Sequence, residues 1–310
     1  MQQAKAASEA LSSGYQEQAL AAGIGEANGP KEKIRKLFKQ NKLAVVSAIV
    51  IVVIILLAIL APVISPYKEA QQDLTARLHG PSLSHLLGTD ELGRDVLTRI
   101  LYGARVSLVI GIIPSVISLL LGILLGLLSG YFGGWVDYLI MRIADVMLSF
   151  PSLLLSMAIM YTLGRYVNSI WCIFAALSLI GWAPVARVIR SQTLSFKETE
   201  YVEAARSIGV SRSSVMFRHI LPNCTPSLIV LFTLNVPSCI LSESTLSFLG
   251  IGVQPPAASW GLMVNQSKQF LFTSPWLALA PCLAIMLVVL AFNFLGDGLR
   301  DVLDPYLQDA

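Results

Sequence analysis

Residues 43–65 read LAVVSAIVIVVIILLAILAPVIS, an uncharged run that lies between Lys42 and Lys68. A helix needs about 20 apolar residues to cross the hydrocarbon core of a bilayer. Inside a bilayer only helices and closed barrels satisfy all backbone hydrogen-bonding groups, and a run this long and rich in Leu and Ile favours the helix. The stretch therefore predicts a transmembrane helix, and it decides the class of fold.

The rest of the chain repeats this pattern. Of the 310 residues, 55% are hydrophobic and only 13% are charged, whereas a soluble domain carries about 25% charged residues. Most of the surface must therefore face lipid, and we expect an all-α polytopic membrane protein with six transmembrane helices. Charged residues separate the predicted spans, which are 43–65, 106–129, 138–163, 167–186, 225–249 and 275–295.

The distribution of basic residues predicts the orientation of these spans. Six spans place both termini on one side of the membrane, and that side carries twice as many Lys and Arg residues as the other, mainly in 31–42 and 187–224. Because cytoplasmic segments carry the excess of Lys and Arg, we expect both termini and the 187–224 loop to be cytoplasmic. Orientation in membrane lipid explains these charges, and no nucleic-acid partner is predicted.

The same patterns divide the chain into segments. Residues 1–30 are polar and lack the apolar core of a signal peptide, so a disordered cytoplasmic tail is expected. The other predicted segments are a basic cytoplasmic flank (31–42), a transmembrane domain (43–296) with extracytoplasmic segments 66–105 and 250–274, and a cytoplasmic tail (297–310).

The 187–224 loop contains signals for two short helices. Ser195 and Glu198 have the spacing of a capping box, and Gly209 suits the left-handed residue that ends a helix. Ser211 is expected to cap a second helix, which Pro222 is expected to break. Two interpretations fit this pattern: an amphipathic hairpin on the membrane surface, or a rigid lever that contacts a soluble partner.

The amino-acid sequence of this loop resembles a known motif. Residues 203–209 read EAARSIG and residues 220–222 read ILP, which is similar to the EAA loop of permease subunits in bacterial ATP-binding-cassette importers. The resemblance implies a permease fold of the type I importer class, in which a coupling helix in this loop contacts an ATPase. The residues that the resemblance places there are Glu203, Ala204, Ala205, Gly209, Ile220, Leu221 and Pro222.

Two further stretches resemble a narrower group. Residues 85–97 (HLLGTDELGRDVL) and 293–305 (NFLGDGLRDVLDP) are similar to the second permease of the oligopeptide, dipeptide and nickel importers. Together with 248–256 (FLGIGVQPP), the likeness extends over about residues 35–306. It implies a location in the bacterial cytoplasmic membrane, a homologous second permease, two cytosolic ATPase subunits, an extracytoplasmic substrate-binding protein and a peptide ligand. Nickel or a metal chelate is the alternative ligand.

No catalytic or metal-binding residue is predicted in this chain. The sequence has no G-x-x-x-x-G-K-[ST] phosphate loop, and its three His and four Cys residues show no metal-ligand spacing. ATP and Mg are therefore expected on the partner ATPases, and no cofactor is expected here. An ion-coupled secondary transporter is the other alternative, but it usually keeps charged groups at mid-membrane, which four of the predicted spans lack.

The fifth predicted span carries polar residues on one helical face. Asn235, Ser238, Ser242 and Thr245 fall within about 80° of one another at about 100° per residue, and Glu243 is the single acid deep in this span. A polar stripe inside lipid is expected to face protein or water, so these five residues are candidates for lining a translocation path. Hydrogen bonding between helices explains the Ser and Thr residues equally well.

Overall fold

The computed structural model describes residues 41–303, and this part of the chain is helical with no β-strand. The predicted tail 1–30, nearly all of the basic flank 31–42 and residues 304–310 lie outside it. Five helical stretches in the described part are long and apolar enough to cross a membrane. They are α1 (Lys42–Ile64), α2 (Val96–Phe132), α5 (Ser169–Lys197), the stretch Arg212–Phe248 and α10 (Trp276–Leu303).

The third predicted span is not one straight helix. Residues 134–163 form α3 (Gly134–Ser149) and α4 (Ser152–Leu163), whose axes differ by 95°. The break lies at Phe150, which is extended at φ −90° and ψ 143° because Pro151 follows it. Proline disfavours the helical conformation of the residue before it and cannot donate a backbone hydrogen bond. The span predicted at 138–163 is therefore bent, and the count of spans is six if the bent pair crosses once.

The second span begins earlier than predicted. Helix α2 starts at Val96, where the side chain of Asp95 accepts a hydrogen bond from the backbone N–H of Thr98. Because Asp is a favoured N-cap residue, the helix begins inside the predicted segment 66–105.

Helices α2 and α5 pack closely through a glycine stripe. Gly122, Gly126 and Gly130 recur every four residues on α2, and a Cβ atom on any of them would lie 2.5–2.7 Å from an atom of α5. Small residues spaced by four let helix backbones approach each other in membranes. This stripe holds α5, and the loop that follows it, against the end of α2.

The remaining long helix starts with an irregular turn. Three residues of α7 (Arg212–Ser214) and a π-helical turn (Val215–Ile220) lead directly into α8 (Leu221–Phe248). Helix α8 packs against α2 and α10, and α9 (Trp260–Ser267) covers this group at one end.

Candidate functional site

The first helix of the 187–224 loop is α6 (Glu200–Ser207). The predicted capping box is wrong, because α5 continues through Lys197 and leaves Ser195 inside a helix, where it cannot act as an N-cap. Thr199 occupies the N-cap position instead. The prediction for Gly209 is confirmed: its φ is +85°, and it ends the helix in the left-handed region.

The second helix of the loop is α7, which continues through the π-helical turn into α8. Ser211 caps it as predicted, because its hydroxyl accepts a hydrogen bond from the backbone N–H of Ser214. Pro222 does not break the helix, which corrects the prediction. It lies in the first turn of α8, where the missing N–H has little cost. The EAA-like loop is thus joined rigidly to the fifth span.

One face of α6 is buried in this chain and the other is open. Val202 has no exposed surface and packs in an apolar cluster with Ile189 of α5 and Ile220 of the π-helical turn. Glu203 and Ala204 are exposed on the opposite side, and Ile208 is 82% exposed. A large exposed apolar side chain beside small residues offers a surface to another protein.

Two polar contacts attach the ends of α6 to different spans. The side-chain amide of Asn223 donates a hydrogen bond to the hydroxyl of Tyr201 over 3.1 Å, which connects α6 to α8. The guanidinium carbon of Arg206 lies 4.9 Å from the ring centroid of Tyr131, which connects α6 to α2. A movement of α6 would therefore reach both helices.

A bidentate ion pair fixes the ends of α2, α3 and α5 beside this loop. Both nitrogens of the Arg190 fork donate to the carboxylate of Asp137, at 2.5 and 2.6 Å. The hydroxyl of Ser129 donates to the same carboxylate. Because a guanidinium and a carboxylate match in this geometry, the pair fixes orientation as well as distance.

Four predicted path residues line one cavity. Asn235, Ser238, Ser242 and Thr245 of α8 face a space of about 340 Å³ between α4, α5 and α8. From α4 and α5, the other small or polar residues around it are Ser152, Ser156 and Gly181. The helical spacing thus brings these four side chains to one surface.

Glu243, predicted to belong to the same group, does not line the cavity. Its side chain has no exposed surface, and its carboxylate accepts hydrogen bonds from the hydroxyls of Ser247 at 2.6 Å and Ser259 at 2.8 Å. Ser259 also caps α9, since its hydroxyl accepts from the N–H of Leu262. Glu243 therefore holds the loop after α8 and the start of α9.

A second charged cluster lies around Asp90. The carboxylate of Asp90 accepts hydrogen bonds from Arg94 and Arg99, each at 2.7 Å. Arg99 also donates to the side chain of Gln266 on α9 over 3.1 Å. Asp90 and Arg94 are four residues apart, which is a local pattern, but Gln266 is too distant in the sequence for a local pattern to connect it.

The chain matches two family models. Residues 122–309 match the model described as binding-protein-dependent transport system inner membrane component. Residues 31–81 match the N-terminal transmembrane domain of oligopeptide transport permease C.

Similar proteins cover almost the whole chain. The dipeptide transport system permease protein DppC of Alkalihalophilus pseudofirmus is 44% identical over 279 residues, which is 90% of this chain and 91% of the relative. The glutathione transport system permease protein GsiD of Shigella flexneri serotype 5b is 42% identical over 280 residues, with the same coverage.

Two solved structures share the fold. The MetNI methionine ABC transporter, in inward-facing conformations, superposes with a TM-score of 0.54 at 16% identity, over 67% of this chain and 96% of that one. An amino acid ABC transporter with histidines gives a TM-score of 0.51 at 15% identity, over 69% and 95%. At these identities the comparison shows the fold alone.

Proposed function

Because the chain belongs to the family of binding-protein-dependent transport system inner membrane components, we propose that it is one of two permease subunits of an ATP-driven importer of di- or oligopeptides. The dipeptide and glutathione permeases support the ligand class, since both are more than 40% identical over 90% of this chain and glutathione is itself a peptide.

The proposed assembly contains three further kinds of protein. A homologous permease forms the other half of the path, two cytosolic ATPase subunits bind ATP and Mg, and an extracytoplasmic protein delivers the peptide. Both termini of this chain and the loop that contains α6 lie in the cytoplasm, as the excess of basic residues predicts.

The observation that carries this proposal is the two-sided character of α6. Val202 anchors the helix in the bundle, while Glu203 and Ala204 point outward from the same two turns. A small side chain at Ala204 permits a close approach by an ATPase, and the charge of Glu203 selects the register of docking. Closure of the ATPases on ATP then moves α6, and with it the spans to which α6 is attached.

The test is transport by the assembled complex. The chain is copurified with its partner subunits and reconstituted in vesicles whose ion gradients are collapsed by ionophores, and a labelled dipeptide is supplied with the binding protein. We expect uptake that requires ATP. Uptake driven by an ion gradient without ATP would overturn the importer, and ATP-dependent uptake of a nickel chelate but of no peptide would overturn the ligand.

A further inference from the structure

Three helix ends adjoin one another at the end of the bundle opposite α6. The hydroxyl of Ser65, directly after α1, donates to the hydroxyl of Thr98 in the first turn of α2 over 2.9 Å. The backbone N–H of Val96, the first residue of α2, donates to the carbonyl of Gly88 over 3.0 Å. A Cβ atom on Gly88 would lie 2.7 Å from Nε1 of Trp276, the first residue of α10. The end of α1 and the starts of α2 and α10 are thus at one level.

This level is one surface of the membrane. Helix α1 has 23 residues, which makes it about 35 Å long at 1.5 Å per residue. The uncharged part of α10, residues 276–296, is about 32 Å long. Both lengths match the hydrocarbon core, which is about 30 Å thick, so the end of α1 and the start of α10 mark where the lipid tails stop. Helix α2, at 37 residues, extends beyond the tails at its other end, where Tyr131 contacts Arg206.

A loop of residues 79–88 lies at this surface between α1 and α10. The hydroxyl of Tyr67, three residues after α1, donates to the carbonyl of Ser84 in the loop over 2.8 Å. On the side of α10, a Cβ atom on Gly80 would lie 3.8 Å from the ring of Trp276. The loop is therefore held by one Tyr and one Trp, the two residue types that are enriched where a membrane meets water.

Large apolar side chains project from this part of the molecule. Leu83 is fully exposed, Leu86 is 59% exposed, and Phe272, four residues before α10, is 98% exposed. Residues 78–89 and 270–276 contain no Asp, Glu, Lys or Arg. An exposed apolar surface of this kind marks a contact with another protein or with a membrane.

The surroundings of these side chains favour the membrane. They continue the apolar outer sides of the two flanking helices, where Val63 in the last turn of α1 is 81% exposed and Leu279 in the first turn of α10 is 57% exposed. Residues 68–77, in the same connection between α1 and α2, instead carry four charged side chains. The connection thus has a charged part and an uncharged apolar part, which is the character of segments that lie in a membrane surface.

We infer that the 79–88 loop is an anchor in the membrane surface, and that Leu83, Leu86 and Phe272 insert among the phospholipid headgroups of the leaflet opposite α6. Insertion removes their apolar surface from water. The anchor fixes the connection between α1 and α2 to the bilayer as well as to α10. This role goes beyond transport, because it needs only the lipid surface and no ligand.

The test measures whether a fluorophore on the loop lies in lipid or in water. The complex with cysteine-free partner subunits is placed in nanodiscs of phosphatidylethanolamine and phosphatidylglycerol, with Cys282→Ser in this chain because Cys282 is exposed. Leu86→Cys carries an environment-sensitive fluorophore, and the control is the same label on Gln254→Cys, in an exposed loop position. Lipids with a nitroxide near the headgroup should quench the Leu86 label about threefold more than the control label. Iodide in the water should quench it about threefold less.

The contribution of the Leu83 side chain is measured separately, because the fluorophore is itself apolar. In the Leu86→Cys protein, Leu83→Asp should lower quenching by the nitroxide lipids by about half and raise quenching by iodide. Leu83→Ile should change neither. Leu74→Asp is the matched control, since Leu74 is 64% exposed but lies in the charged part of the same connection.

Several outcomes would overturn the inference. Equal quenching of the Leu86 and Gln254 labels would place the loop in water, and protection from both quenchers would place it under another subunit. Protection from iodide only after the binding protein is added would make the loop a docking surface for that protein. Unchanged quenching with Leu83→Asp would mean that the fluorophore inserts and the loop does not. If that variant does not assemble, the comparison of the two labels still decides, and none of these readings depends on peptide transport.

Discussion

The guanidinium carbon of Arg206 lies 4.9 Å from the centre of the Tyr131 ring, and this contact joins the short helix α6 to the end of α2. Two residues before Tyr131, Ser129 donates to the carboxylate of Asp137, which also receives both bonds from Arg190. Contacts thus run without interruption from α6 to the ends of α2, α3 and α5. A displacement of α6 by an ATPase has a physical route into the spans.

The contact between Arg206 and Tyr131 is expected to contribute to coupling. Arg206→Gln and Tyr131→Leu each remove the cation–π interaction, worth about 0.5–1 kcal/mol at an exposed site. In a double-mutant cycle on the ratio of transport to ATP hydrolysis, we expect the second substitution to add little to the first.

A matched pair provides the control for that cycle. Arg165 lies over the ring of Tyr161 at 5.2 Å at the end of α4, a helix that packs against α5 and α8. Arg165→Gln should leave the ratio of transport to ATP hydrolysis unchanged. Additive effects of Arg206→Gln and Tyr131→Leu would show that the two side chains act separately.

The ion pair between Asp137 and Arg190 is expected to stabilise the assembled bundle. Arg190→Lys replaces a planar fork with a single ammonium, which cannot make both bonds. Asp137→Asn leaves the partly buried guanidinium without its charge partner, at a cost of about 1–3 kcal/mol. The melting temperature of the purified complex measures this loss.

Asp145→Asn is the control, because the Asp145–Arg187 pair is about half exposed and such pairs contribute about 1 kcal/mol or less. If Asp137→Asn and Asp145→Asn lowered the melting temperature equally, the prediction would be wrong.

The glycine stripe of α2 predicts that Gly→Ala destabilises this helix packing, which is the opposite of what helix propensity predicts. Gly→Ala in a helix normally stabilises it by about 1 kcal/mol. At Gly126, however, the new Cβ would lie 2.7 Å from the backbone oxygen of Ala186 and 2.8 Å from the Cβ of Ile189. Overpacking of this kind costs about 1–3 kcal/mol, so we expect Gly126→Ala to lower the melting temperature. Leu120→Ala, on the exposed side of α2, should change it much less. A higher melting temperature for Gly126→Ala would refute the close packing.

How much of this fold the sequence predicts depends on how far apart in the sequence the residues that make each contact lie. Apolar runs predicted the long helices because bilayer thickness sets their length. The effect of proline was ambiguous: Pro151 separates two helices. Pro222 instead lies inside the continuous helical stretch Arg212–Phe248, directly after its π-helical turn. Helical spacing placed Asn235 and Ser242 together. Glu243 is one residue further along, about 100° around the helix. Its side chain therefore points away from the cavity and contacts Ser259 at the start of α9.

The polar contacts between helices could not be predicted in this way. Arg206 and Tyr131 are far apart in the sequence, and no local pattern distinguishes their pairing from that of any other Arg and Tyr at a helix end. The same holds for Arg190 and Asp137, since a contact between spans depends on how the glycine stripe orients α2 against α5.

Glu243 is expected to hold the loop between α8 and α9. Glu243→Gln keeps an oxygen that accepts from Ser247 and Ser259, so the loop should remain ordered. Glu243→Leu leaves both hydroxyls without that acceptor, at about 1–3 kcal/mol for each buried group. A cysteine at the exposed Gln254 position reports on the loop through its rate of reaction with a maleimide. We expect faster labelling with Glu243→Leu than with Glu243→Gln, and equal rates would mean that the carboxylate does not hold the loop.

Two glycines offer a test of coupling in which the local strain is the same. Gly209 and Gly250 both have φ of +85°, and a Cβ on either would meet no atom within 4 Å. Each glycine follows the C-terminus of a helix, and the two helices end with the same hydrogen bond. The backbone N–H of Val210 donates to the carbonyl of Ala205, and that of Ile251 donates to the carbonyl of Leu246. An alanine in the left-handed region costs about 1–2 kcal/mol at either place. Gly209→Ala and Gly250→Ala should therefore lower the melting temperature alike, while only Gly209→Ala, at the end of α6, should lower the transport obtained for each ATP hydrolysed. Equal uncoupling by both variants would mean that general destabilisation, and not the position of α6, limits transport.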